Sequence, residues 1–154
     1  MAANANPRYT IVGDYSTNGT TTSSGTMGPV ALTATGDFTG VSANHVKVFT
    51  GDATNGSRLV GLHFEATGTN IQTAARIYIN NGGSQTTASN NALVGQLTLP
   101  ATTTTNAAAV GSADYYFPGP SGYADLPPGY TVYVGIGTTV AAGWVITPVL
   151  GGKF

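Results

Sequence analysis

Short segments in which apolar and polar residues alternate, separated by turns rich in Gly and Asn, recur along most of this sequence. The clearest segment runs from Arg58 to Ala66, with Val60, Leu62, Phe64 and Ala66 in one alternate set and Leu59, Gly61, His63 and Glu65 in the other. Successive side chains of a strand point to opposite faces, so this period of two predicts a β-strand. No run has both the period and the length of a helix, and the pattern therefore predicts an all-β chain.

About eight strands are predicted in all. Besides 58–66, the candidate segments are 9–15, 29–35, 46–50, 75–80, 93–99, 130–137 and 143–149. Residues that tolerate positive φ separate them, as in Asn55-Gly56 and in the Asn-Asn-Gly-Gly run at 80–83. Strands at this spacing predict an antiparallel sandwich or barrel, and we expect a jelly-roll-like β-sandwich.

The chain is long enough for one self-sufficient core, and we place the sandwich domain at 29–154. Residues 1–28 are expected to form an extended N-terminal arm, because 16–28 are Thr, Ser, Gly and Asn apart from Met27, with almost nothing to bury. Residues 117–129 contain four prolines and are expected to form a long ordered loop. Gly135 and Gly137 lie inside a strand, where small residues accommodate a packed neighbour.

Charge is scarce in this chain, and that bears on function. Only 7% of residues are charged, against about a quarter in a typical soluble domain, while Thr and Gly number 25 and 22. The net charge is −1 and the five basic residues are scattered, so no direct nucleic-acid contact is expected. No apolar run approaches the roughly 20 residues of a membrane span. The N-terminus lacks a secretion signal, so synthesis in a cytoplasm is expected.

Few residues of this sequence are candidates for catalysis or ligand binding. With no cysteine, thiolate metal sites and thiol nucleophiles are excluded, and neither a metal nor a cofactor is expected. His63 and Glu65 share a strand face that Arg76 and Tyr78 of the next strand could match. A solvated face with a Glu65–Arg76 pair is the favoured interpretation. The alternatives are a cluster that binds a carboxylate or a sugar, or one in which His63 acts as a base. His45 is expected at the surface. The chain is predicted not to be an enzyme.

The aromatic residues are more suggestive. Tyr115, Tyr116, Phe117 and Tyr123 fall in one Pro- and Gly-rich stretch, and Trp144 lies near the end of the chain. Aromatic side chains on a rigid loop can anchor a partner subunit or stack on a sugar. In an isolated monomer they would instead cap the open end of the sandwich. For a protein that assembles, they are the candidate interface.

Several segments from about residue 46 onward resemble a known set of proteins. They are Asn55-Gly-Ser-Arg-Leu-Val, Phe64-Glu-Ala-Thr-Gly-Thr-Asn, Arg76-Ile-Tyr-Ile-Asn-Asn-Gly, Asn90-Asn91 before Leu97-Thr-Leu-Pro, Leu126-Pro-Pro-Gly-Tyr and Ala141-Ala-Gly-Trp. Their order resembles that in small β-sandwich virion proteins of tailed bacteriophages, in the company of capsid decoration or cement proteins. The motifs are turn and core residues, and the resemblance offers no catalytic residues to carry over.

The resemblance implies a virion structural protein on the capsid surface. Such a subunit would bind the major capsid protein as a homo-oligomer, such as a trimer, and stabilise the assembled head. Tyr9, Ile11 and Val12 of the arm would then add a strand to a neighbour. Two alternatives stay open: a tail or head-fibre module that contacts a host surface, and a carbohydrate-binding module with a stacking platform drawn from Tyr115, Tyr116, Tyr123 or Trp144.

Overall fold

Ten strands and no α-helix are formed by the residues that the structure, a computed structural model, describes: 8–9, 31–105 and 107–153. The strands are β1 (Arg8–Tyr9), β2 (Ala31–Leu32), β3 (Val46–Thr50), β4 (Ser57–Ala66), β5 (Thr73–Asn80), β6 (Asn91–Leu99), β7 (Ser112–Tyr116), β8 (Ala124–Leu126), β9 (Thr131–Ile136) and β10 (Trp144–Lys153). A single 3-10 turn, Ala88–Asn90, precedes β6. The predicted all-β class is confirmed.

The strands form two antiparallel sheets that pack face to face. The four-stranded sheet has the order β3-β9-β5-β6. The six-stranded sheet follows β1-β10-β4-β7, with β2 also on β10 and β8 also on β4. The β2-β10-β4-β7 and β3-β9-β5-β6 orders are those of a jelly roll, which confirms the predicted sandwich.

The pairing is nested along the chain. β5 pairs with β6, β4 with β7 and β8, β3 with β9, and β2 with β10, each pair enclosing the one before it in sequence. Two further ladders, β10 with β4 and β9 with β5, join these pairs within each sheet. The chain is thus one long folded ribbon whose tip is the β5–β6 connection.

Strands β3 to β6, β9 and β10 lie within a few residues of the predicted segments. The exceptions are β7, which was not predicted, and β8, which lies inside the predicted 117–129 loop. Both are short and pair with β4, which is far away in sequence, so local alternation carries little sign of them. Of the predicted first strand at 9–15 and the arm at 1–28, only Arg8–Tyr9 is described, and it pairs with the end of β10.

Apolar side chains from both sheets fill the space between them. Alternate residues of β9 are fully buried, and they face the two largest apolar side chains of the six-stranded sheet, Phe64 and Trp144. The main contributors are Leu32, Val48, Leu59, Leu62, Phe64, Ile77, Leu99, Val132, Val134, Ile136, Trp144 and Ile146. Burying each large apolar side chain contributes about 1.5 to 3 kcal/mol, so this layer is the main source of stability.

A segment between β2 and β3, residues 36–45, crosses the outer face of the four-stranded sheet; we call it the strap. Its carbonyl at Asp37 accepts a 2.7 Å hydrogen bond from the Tyr78 hydroxyl of β5. Its carbonyl at Ser42 accepts a 2.9 Å hydrogen bond from the Gln85 amide. The strap therefore buries Tyr78, which exposes 1% of its surface on what would otherwise be an open sheet face.

One buried asparagine joins three connections at one end of the sandwich. The Asn70 carboxamide oxygen accepts hydrogen bonds from the backbone N–H groups of Ala142 (3.0 Å) and Gly143 (2.8 Å). Its amide nitrogen donates to the carbonyls of Gly68 and Gly143, and its backbone exchanges two hydrogen bonds with Thr102. Asn70 thus joins the β4–β5, β6–β7 and β9–β10 connections by hydrogen bonds to their backbone groups, in place of the hydrogen bonds that paired strands would make.

Candidate functional site

The structure separates the predicted interface aromatics into two groups. Tyr115, Phe117 and Trp144 are buried in the core. Tyr115 packs edge-on against Phe117 with ring centroids 5.3 Å apart, and its hydroxyl donates to the Val94 carbonyl at 3.2 Å. Burial raises the pKa of the Tyr115 hydroxyl. In the isolated chain these three side chains hold the two sheets together.

Tyr116 and Tyr123 are the accessible members of the set. Tyr116 belongs to β7, not to a loop as predicted, and exposes 57% of its surface. Its ring lies across Gly61 of β4, where a Cβ atom would come within 3.0 Å of it. Tyr123 stacks under the Arg58 guanidinium, 3.5 Å from its ring centroid, and Arg58 also pairs with Asp125 at 2.8 Å. Tyr9 lies in β1, and Ile11 and Val12 lie outside the described residues.

A histidine held between two carboxylates lies beside Tyr116, on the outer face of the six-stranded sheet. His63 is opposite Asp114 in the β4–β7 register, and its Nδ1 atom is 2.7 Å from the Asp114 carboxylate. Its Nε2 atom is 3.2 Å from the Glu65 carboxylate. The hydrogen bond to Asp114, reinforced by Glu65, raises the pKa of His63 despite partial burial. We call His63, Glu65, Asp114 and Tyr116 the outer-face cluster.

The predicted Glu65–Arg76 pair is wrong. β4 and β5 are consecutive in sequence but belong to different sheets, so Glu65 and Arg76 lie on opposite outer faces of the sandwich. Arg76 is 8% exposed, and its guanidinium carbon lies 3.6 Å from the ring centroid of Phe38 in the strap. The residue that does pair with His63, Asp114, is 51 positions away and comes from an unpredicted strand.

His45 is buried, not exposed as predicted. It retains 5% of its surface and stacks on Tyr78 at a centroid distance of 4.9 Å. Its ring fills the space above Gly36 and Gly135, where a Cβ atom at either glycine would collide with it. Neither ring nitrogen has a hydrogen-bond partner among the described residues. The interpretation of Gly135 and Gly137 as sites under a packed neighbour is confirmed, since Gly137 lies against Arg76.

Within the described part of the chain, no group of three or more acidic, His or Cys residues is arranged to hold a metal ion. In the outer-face cluster, each nitrogen of His63 already contacts a carboxylate on a different side of the ring. The described residues also include no helix with the length and apolar character of a membrane span. What the cluster offers is a stacking surface beside hydrogen-bonding groups.

Comparison of the chain with protein-family models, with curated proteins and with solved structures found no match. Function is therefore argued from this fold and its surfaces.

Proposed function

We propose that this chain is a non-enzymatic virion structural protein, a capsid decoration subunit that binds the assembled head of a tailed bacteriophage as an oligomer. The observation that carries the proposal is the jelly-roll strand order, an architecture that viral capsid domains share with lectins. The scarcity of charge supports it, because the cores of subunit interfaces are depleted in charged residues.

The segments that resemble virion proteins occupy structural positions in this jelly roll. Asn55-Gly56 forms the turn before β4, with Gly56 at a φ of 77°. Trp144 begins β10 and is wholly buried. These positions set the shape of the subunit. A structural protein acts by contacting its neighbours, and its shape determines which contacts it can make.

The test is electron microscopy of the intact particle, which asks whether this chain lies on the capsid lattice and with what symmetry. Density for the jelly roll on the lattice, and co-purification with tail-less heads, is the expected result. Density confined to the tail or to head fibres would favour the host-contact alternative. A chain lacking residues 1–28 that binds heads with unchanged affinity would remove the arm from the proposal.

Glycan binding is the second candidate, and one observation favours it. Tyr116 lies flat and exposed beside His63, Asp114 and Glu65, and a sugar ring can stack on an aromatic face while its hydroxyl groups bind carboxylates. Of the platform residues named from sequence, Tyr115 and Trp144 are buried, which leaves Tyr116 and Tyr123. If this function is correct, Tyr116→Ala abolishes glycan binding by the isolated domain, while Tyr133→Ala, a half-buried tyrosine of the other sheet, retains it.

A further inference from the structure

Strand β6 forms one edge of the four-stranded sheet and pairs only with β5 among the described residues. We propose that this edge pairs with β6 of a second copy of the chain, so that two four-stranded sheets become one sheet of eight. The inference deepens the proposed function, since it names the surface through which the proposed oligomer forms.

The β6 edge differs from the other sheet edges in its residues. β6 is nine residues long, Asn-Ala-Leu-Val-Gly-Gln-Leu-Thr-Leu, and carries no charge. Edge strands are usually protected by charge, proline or short length. The other edges follow that rule: β3 carries Lys47, β7 carries Asp114, β8 carries Asp125, and β1 and β2 have two residues each. β6 is thus the described edge longer than two residues that carries no charge, and its protection is the bulge at Val94.

Strand β6 can also pair with a second copy of itself without repulsion between like charges. A twofold axis places the same strand opposite itself, and a like charge on it would face its own copy and oppose pairing. An uncharged strand has no such penalty. The bulge at Val94, whose carbonyl already accepts the Tyr115 hydroxyl, leaves Gly95 to Leu99 as the straight part that would pair.

Large apolar side chains are exposed next to this edge. Leu93 of β6 is 39% exposed and lies opposite Tyr78 on the outer face of the sheet. Phe38 of the strap is 64% exposed and lies over Arg76, whose cross-strand neighbour in β6 is Gln96. Two of the four large apolar side chains that the described residues expose therefore border β6, and exposed apolar surface is a mark of interaction sites.

The test uses two charge variants of the full chain. Gln96 and Thr98 are exposed, so Gln96→Glu with Thr98→Glu, and Gln96→Lys with Thr98→Lys, are expected to fold normally. In sedimentation equilibrium the wild type is expected to dimerise, and each variant to raise the dimer dissociation constant about tenfold or more through like-charge pairs. Mixing the two variants is expected to restore a heterodimer, because Glu then faces Lys.

The matched control is Thr103→Glu with Thr105→Glu, two exposed sites of the same spacing just beyond β6, and it should dimerise like the wild type. A monomeric wild type, or an association that neither β6 variant weakens, would overturn the proposal. So would two monomeric variants that do not associate when mixed. Head binding is scored separately. A dimer that fails to bind heads contradicts the proposed function alone, and a monomer that binds heads contradicts this inference and the oligomeric state in the proposed function, but not head binding itself.

Discussion

Asp114 has the largest effect on the charge of His63. Asp114→Asn is expected to lower the pKa of His63 toward its ordinary value of 6.5, and Glu65→Gln to lower it by less, because the Asp114 hydrogen bond is the main cause of the upward shift. An NMR titration of the ring protons measures this directly, since the chain has two histidines. A larger effect of Glu65→Gln would contradict the assignment.

The same shift has a consequence for stability. The pKa of His63 is raised in the folded chain, so the stabilisation it brings is fully present below pH 6.5 and is lost as the pH rises through the folded value. The side chains involved are more than a third exposed, so solvent screening keeps the effect below about 1 kcal/mol. The free energy of unfolding of His63→Gln should therefore fall below that of the wild type mainly on the acidic side.

Gly135 is required by the ring that covers it. Gly135→Ala is expected to lower the free energy of unfolding by about 1 to 3 kcal/mol, because the added methyl group collides with His45. In a chain that also carries His45→Ala, the alanine occupies vacated space and its cost should shrink. Urea denaturation of the four members of this double-mutant cycle measures the coupling. Strict additivity would show that the ring is not the obstacle.

Sequence patterns located the polar residues of these sites but not their partners. Alternation in 58–66 placed His63 and Glu65 together correctly, because spacing along one strand is local information. It could not supply Asp114, which reaches His63 only through the pairing of β4 with β7. His45 has no local sign of burial, since the strap that carries it covers a sheet face that the sequence alone would leave in water.

At the level of the elements, Asn70 connects loops that have little ladder of their own. Asn70→Ala is expected to lower the free energy of unfolding by about 3 kcal/mol, since it leaves the backbone N–H groups of Ala142 and Gly143 without partners. The carbonyls of Gly68 and Gly143 keep hydrogen bonds from Thr102 and Thr67. Asn44→Ala is the control: its exposed amide donates one hydrogen bond to the Thr35 carbonyl, worth about 1 kcal/mol. Equal losses in urea denaturation would contradict this role for Asn70.

The strands that sequence analysis found and missed differ in length and in neighbours. β4, β5 and β9 run for six residues or more, and they were predicted. The alternation of β4 shifts by one residue at Gly61, so Leu59 is buried as Leu62 is and does not lie on the opposite face. β8 has three residues between Tyr123 and Pro127, and its strand character depends on the start of β4. Short edge strands of this kind are set by tertiary pairing more than by their own residues.

For the whole molecule, Trp144 allows the cooperativity of unfolding to be measured by fluorescence. It is the single tryptophan of the chain and is fully buried between the sheets. We expect its fluorescence and the far-UV circular dichroism of the strands to change in one coincident transition on heating or in urea, because one core joins both sheets. Tryptophan exposure that precedes the loss of strand signal would show that the sheets part before they unfold.

The number and spacing of the strands were enough to predict an antiparallel sandwich or barrel. The order of strands within each sheet was not available in the same way, because it depends on which distant segments pair. That order determines where β4 and β5 lie relative to one another, and the wrong Glu65–Arg76 pair follows from assuming that consecutive strands are neighbours.

Nested pairing also places the last strand of the sequence in the interior of a sheet. β10 lies between β4 on one side and β1 and β2 on the other. Ribosomes add roughly 5 to 20 residues per second, so for several seconds the emerging chain holds β2 and β4 with no β10 to join them. A chain whose synthesis stops before Trp144 can never close, and it presents open edges to proteases and chaperones. The fold thus gives the cell a means to distinguish chains that have closed both sheets from shorter fragments.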